Sequence, residues 1–219
     1  MTPGQDVPDI GFVRPVSQNL GSFRQRGVDI EAAFNTDLER IYEPLPGNLN
    51  IRSVWTYVYD FIVDRNADAS GDEIDYAGQS AAIGGGGPAA FADFQPSSKW
   101  RSSHWITYAL NGFQTTFGIR HIGPGVYNAE WQGPNDPDYD PTLTTSVNDN
   151  TVDSSVIFSL AASYEFEPVQ GTSTEIFLAI DNLLGTAPVV APSGVGYSTN
   201  PTYFDTQGAR WRAGLRVEL

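Results

Sequence analysis

Apolar and polar side chains alternate with a period of two along most of this chain, and helical periodicity is hard to find. The clearest run is Leu49–Asp64. Its odd positions are Leu49, Ile51, Ser53, Trp55, Tyr57, Tyr59, Phe61 and Val63, while its even positions carry Asn50, Arg52, Thr56, Asp60 and Asp64. Strands of globular domains usually stop at about five or six residues, so a run of roughly sixteen predicts a strand of a large barrel that projects beyond a bilayer. The same grammar recurs elsewhere. Val28–Phe34 sets Val28, Ile30, Ala32 and Phe34 against Asp29 and Glu31. Val156–Phe166 sets Val156, Phe158, Leu160, Ala162, Tyr164 and Phe166 against a smaller, more polar side that ends in Glu165. Ser173–Asn182 sets Ile176, Leu178 and Ile180 against Glu175, Phe177 and Asp181. The final strand sets Trp211, Ala213, Leu215, Val217 and Leu219 against Arg210, Arg212, Gly214, Arg216 and Glu218. One face is greasy throughout, and the other tolerates full charges.

Asn111-Gly112 predicts a two-residue type I′ hairpin turn, because both central positions need positive φ. With that turn Leu110 opposes Phe113, and Trp100, His104, Ile106, Tyr108 and Leu110 share a face with Phe113, Thr115, Phe117 and Ile119. Arg101, Ser103, Thr107, Gln114, Thr116 and Arg120 fall on the other face, with Trp105 among them. Connections at one end are short or moderate: Thr36–Gly47, Asn111-Gly112 and Glu167–Thr172. Those at the other end are long: Arg65–Ser98, Gly123–Asn150 and Leu183–Thr202. A further short strand at Phe12–Val16, turning at Asn19-Leu20-Gly21, brings the count to seven or eight. Short turns on one rim and long loops on the other are the organisation of outer-membrane barrels. The expected fold is therefore all-β: an antiparallel meander of about seven or eight long strands, part of a large transmembrane β-barrel and present as an open sheet or half-barrel. A soluble β-sandwich also alternates, but its strands are shorter and its outward face is the polar one.

Composition narrows the function. The 219 residues include 26 acidic and 12 basic ones, for a net charge of −14, and nucleic-acid binding is not expected of so acidic a chain. Cysteine is absent, which removes disulfides, thiolate catalysis and Cys-based metal centres. The first residues, MTPGQDVPDIGF, have neither the basic nor the apolar region of a secretory signal. No run of about 18 apolar residues predicts a membrane helix, a criterion to which short alternating barrel strands are invisible.

Candidate chemistry is sparse. Gly84–Gly87 lacks the Gly-Lys-Ser/Thr that completes a phosphate cradle, and reads as a flexible loop. Asp136, Asp138 and Asp140 alternate as in a calcium loop, but Pro141 stands where glycine is required and no Glu occupies the twelfth position. An acidic solvated loop is the preferred reading. His104 and His121 are the only histidines, and no Gly-x-Ser-x-Gly elbow accompanies them. No active site, metal or cofactor is read, and the chain is not expected to be an enzyme. Arg210, Arg212 and Arg216 lie on the charged face beside the strand carrying Glu175 and Asp181. Cross-strand pairing is the expectation, at about 0.2–1 kcal/mol per pair; contact with a plug inside the barrel or with an anionic solute is the alternative.

Several stretches resemble one family in order and spacing. Arg212, Gly214, Val217 and Leu219 fit the polar-x-Gly-x-x-apolar-x-apolar pattern that resembles the terminal assembly signal of bacterial outer-membrane barrels, although Leu219 stands where Phe is usual. Asn19–Ile30 is similar to the Gly-Val-Asp strand-turn-strand of TonB-dependent outer-membrane receptors. Glu175–Leu184 resembles their penultimate strand, with its Asn-Leu-Phe-like end departing at Leu184. Asn200–Arg210 is similar to the loop that leads into their last strand, with Ala209 interrupting the usual Gly-Arg. The resemblance covers Asn19 to Leu219. It implies the C-terminal portion of a receptor barrel, spanning residues 1–219 and lacking the plug and the N-terminal strands, in the outer membrane of a Gram-negative bacterium. It further implies that Glu175, Asp181, Arg210, Arg212 and Arg216 face the lumen, and that Arg24 and Arg26 lie near lipopolysaccharide phosphates. The partners so implied are outer-membrane lipid and lipopolysaccharide, the barrel-assembly machinery, the missing plug and strands, and a small solute such as a siderophore, oligosaccharide or cobalamin. The alternatives are a small complete outer-membrane barrel with a structural or adhesive role, and a secreted carbohydrate-binding β-sandwich.

Overall fold

A computed structural model describes residues 22–64, 73–81, 98–191, 198–201 and 203–218. The periodic segments become β1 (Ser22–Asp37), β2 (Asn48–Asp64), β4 (Trp100–Leu110), β5 (Phe113–Ile122), β8 (Ser155–Phe166), β9 (Ser173–Asp181) and β10 (Arg210–Glu218). They form one antiparallel meander in the order β1-β2-β4-β5-β8-β9-β10. Three short pieces lie in the long connections: β3 (Glu73–Asp75), which pairs with β2, and β6 (Gly125–Val126) with β7 (Thr151–Val152), which form a sheet of their own. Asn111 and Gly112 have φ of 45° and 82°, the geometry of the type I′ turn, and Leu110 opposes Phe113. The expected strand at Phe12–Val16, its turn at Asn19–Gly21, the Gly84–Gly87 run and Leu219 lie outside the described residues.

The register carries the apolar parity unbroken across the sheet. Phe34, Ile51, Ile106, Phe117, Leu160, Ile180 and Trp211 oppose one another in turn, one residue per strand. This row begins near the turn end of β1 and finishes at the loop end of β10. It therefore crosses the sheet diagonally, the stagger that tilted barrel strands require. β4 and β8, 11 and 12 residues long, extend about 40 Å.

One expectation is corrected. Leu49–Val63 does not keep a single parity, because the β1–β2 register shifts between Arg26 and Gly27: Gly27 opposes Val58, Arg26 opposes Asp60, and Tyr59 is the extra residue. This β-bulge reverses the alternation beyond it. Phe61 and Val63 are consequently buried with Val58 and Ala77, away from the row that holds Ile51 and Tyr57. Gly27 sits at the bulge because a Cβ there would stand 2.6 Å from the Tyr57 carbonyl oxygen.

Buried side chains concentrate at the long-loop end. One cluster is Val58, Phe61, Val63 and Ala77; the other joins Ala81, Ile122, Val152, Ala191 and Phe204 from the β3–β4, β5–β8 and β9–β10 segments. The apolar face of the sheet itself is largely uncovered: Ile30 is 53%, Leu215 63% and Trp211 71% exposed, while Ile180 in the row is buried. Among the described residues β1 and β10 do not pair, and the sheet is not closed into a barrel.

Candidate functional site

The polar face is built by the residues between those of the apolar row. Where it needs room it uses small side chains: Ser103, Thr107 and Thr116, Ser159 and Ala161, Ala179 and Gly214. Gly214 opposes Phe177, and a Cβ on Gly214 would lie 2.5 Å from Phe177 Cζ, so the ring lies across the glycine. Trp105 belongs to this face for a physical reason. It opposes Arg52, whose guanidinium stands 5.5 Å from the centroid of its ring, a cation–π contact.

Most charges on this face are paired. Arg52 Nε donates to Glu31 Oε1 at 2.7 Å, and Arg216 donates to Glu175 at 2.6 Å. Arg212 lies 3.5 Å and Arg210 3.9 Å from Asp181, and Arg210 is also 3.7 Å from Asp205. The five charges singled out in the sequence thus form two cross-strand groups on β9 and β10, Glu175 with Arg216 and Asp181 with Arg210 and Arg212. Exposed pairs of this kind contribute little each, about 0–1 kcal/mol, and they neutralise the face more than they stiffen it. Of the assembly-type residues, Arg212, Gly214 and Val217 lie along β10.

Near the long-loop rim the polar face is hollowed. A cleft of about 340 Å³ is lined by Val54, Thr56, Arg101, Ser103, Arg120 and Tyr203, among others. A second, of about 220 Å³, adjoins it through Ser103 and Arg120 and reaches Trp105, Asp181, Asp205 and Arg210. The β9–β10 segment contributes Tyr203 to the first cleft and Asn182 and Asp205 to the second. Asn200, fully buried, donates from Nδ2 to the Ser80 carbonyl at 3.2 Å, and Phe204 is packed into the loop cluster, so Tyr203 between them is held against the strands. Burial pushes the Tyr203 hydroxyl above its usual range, and Arg101 pulls it back in part. Asn182 fixes where this segment leaves β9. It has φ 52°, is wholly buried, donates to the Thr186 and Gln207 carbonyls, and accepts from the Thr186 N–H. A short amide side chain that tolerates positive φ meets both demands.

The other candidates are used locally. Asp136 accepts the Gly133 N–H, and Asp140 accepts both the N–H and the hydroxyl of Thr142. The backbone and then the hydroxyl of Thr142 hold the Asp140 carboxyl below its usual range, and the Thr151 hydroxyl and backbone do the same for Asp149. These carboxylates close turns instead of converging, and among the described residues no three acidic or histidine side chains gather as metal ligands. His104 contacts Ser102 Oγ at 3.0 Å and sits edge-on to Trp55. It opposes Ile119 on the apolar face, and His121 opposes Val156. Arg26 pairs with Asp60 at the loop end of β1–β2. Sequence reasoning placed Arg101 and Arg120 on the polar face but did not single them out, and it missed Tyr203. The available signal was their shared parity across the Asn111-Gly112 hairpin. Comparison of the chain with protein-family models, with curated proteins and with solved structures finds no match.

Proposed function

We propose that this chain is a wall segment of a large outer-membrane β-barrel, and specifically the C-terminal part of a TonB-dependent receptor that binds and imports a scarce small solute. The observation that carries the reading is the largely uncovered apolar face running in register across seven strands, opposite a face of paired charges. Seven strands at ~4.8 Å spacing and a band ~25 Å tall make an apolar area on the order of 800 Å², well beyond the few hundred Å² usual for a soluble monomer. Aromatics flank the face at both ends: Phe34, Tyr108, Phe113, Tyr164 and Phe166 near the turns, Tyr57, Tyr59, Trp100 and Trp211 near the loops. Such girdles suit the two membrane interfaces. The order of the Gly-Val-Asp, Asn-Leu-Leu and terminal Gly-containing segments supports the finer reading, and the edges of β1 and β10, which have no strand partner among the described residues, suit a wall that continues into further strands. In such a receptor the charged face lines the lumen, and the long loops meet the solute.

The experiment uses the tryptophans. Refolded into liposomes of brominated phosphatidylcholine, the chain should show strong quenching of Trp211 and Trp100, whereas Trp105 on the polar face should stay protected. Single-Trp variants separate the three signals. Equal quenching of Trp105 and Trp211, or none of either, would remove the membrane reading. Uptake distinguishes receptor from passive wall: a longer receptor carrying these strands should import its solute only with TonB and an energised inner membrane.

A further inference from the structure

Two arginines on the polar face differ from the rest. Arg52, Arg210, Arg212 and Arg216 each have a carboxylate within salt-bridge distance. Arg101 and Arg120 have none among the described residues, and the buried Nε of Arg101 has no hydrogen-bond acceptor there. Carboxylates were not scarce, since the chain has 26 acidic residues against 12 basic ones. A buried guanidinium N–H without a partner is costly, and its persistence in a cleft points to an acceptor supplied from outside.

The geometry specifies that acceptor. Arg101 opposes Ile122 and Arg120 opposes Ser103, so the two arginines are diagonal neighbours on adjacent strands, close enough to act on one group. They line the same cleft of about 340 Å³, with Thr56, Ser103 and Tyr203 around them, a volume at the lower end for small-molecule sites. We infer that Arg101 and Arg120, with Tyr203 lining the same cleft, form a binding site for an oxyanion, a carboxylate or phosphate group of a small solute. Planar guanidinium forks match both groups in bidentate fashion. The cleft lies at the long-loop end, where solute arrives; that the anion belongs to an imported solute rests on the receptor reading above, whereas the site itself rests on the two arginines.

The test is calorimetric titration of the full chain in detergent micelles with tricarballylate and with inorganic phosphate, glucose serving as the neutral control. At least one oxyanion should bind saturably and more weakly as salt is added, and the stronger arm identifies the group. Arg101→Gln or Arg120→Gln should weaken binding by about tenfold or more, the scale of a lost charge-assisted hydrogen bond. Arg212→Gln, on the same face but paired with Asp181, should bind as the parent does. Arg101→Lys keeps the charge and loses the fork, and should fall between parent and Arg101→Gln. The site is overturned if neither oxyanion binds, if Arg212→Gln weakens binding as much as Arg101→Gln, or if only an acidic peptide binds, which would assign the arginines to a protein carboxylate. Lipid quenching of Trp211 without oxyanion binding removes this inference alone. Oxyanion binding without that quenching leaves the site and removes the receptor reading.

Discussion

Gly214 illustrates how a single position in β10 is decided by its neighbour. The Phe177 ring occupies the space where a Cβ would stand, at 2.5 Å from Cζ and 2.7 Å from Cε1. Covering a strand glycine with a cross-strand aromatic restores the packing that the glycine lacks. Gly214→Ala should therefore destabilise the folded chain by about 1–3 kcal/mol, the usual cost of overpacking, and Phe177→Ala in the same chain should remove most of that penalty. Urea unfolding in detergent micelles, followed by tryptophan fluorescence, measures both. A Gly214→Ala cost that is unchanged without Phe177 would mean the glycine serves something other than the ring. The glycine was legible in the sequence as part of a terminal pattern. Its physical cause was not, because Phe177 lies 37 residues earlier and meets Gly214 only through the β9–β10 register.

Whole strands were legible because their signal is local. Alternation over ten residues specifies a strand and its two faces without reference to any partner, and the Asn-Gly turn sets a register by its own geometry. Sidedness makes the consequence testable. Leu215 opposes Ile176 on the apolar face, and Arg216 opposes Glu175 on the polar one. Leu215→Arg should impair bilayer insertion by roughly 2–4 kcal/mol if it lies near the midplane. Arg216→Gln, which loses an exposed pair, should cost no more than about 1 kcal/mol. Partitioning between liposomes and urea compares the two, and equal effects would overturn the facing assignment. Alternation fails as a guide at Tyr59. A bulge depends on how β1 meets β2, and nothing in Leu49–Asp64 alone marks the residue that will be left out of the ladder.

At the scale of the molecule the consequence is an open sheet. β1 and β10 each present a row of backbone groups without a strand partner among the described residues. Hydrocarbon does not tolerate such edges, and in water they template association. The isolated chain should therefore refold into oligomers joined edge to edge, in liposomes as in detergent, with no heat-modifiable monomer on electrophoresis and rapid proteolysis at β1. A protease-resistant, heat-modifiable monomer would instead favour a small complete barrel.

Local chemistry was enough for this sequence to determine its strands, their two faces, one hairpin register and the difference between its two rims. Each follows from neighbours two residues apart, from a two-residue turn or from the lengths of the connections. The tertiary structure alone decided the bulge at Tyr59, which of Asp181, Glu175 and Asp205 each of Arg210, Arg212 and Arg216 meets, and the cleft that brings Arg101, Arg120 and Tyr203 together. Those depend on cross-strand register and on loops that return over the sheet. Asn200 reaches Ser80 across 120 residues of chain, and Phe204 packs with Ala81, Ile122 and Val152. Loop sequences carry no periodicity to announce such contacts, and a charge on a strand reveals its face but not whether an opposite charge will stand beside it.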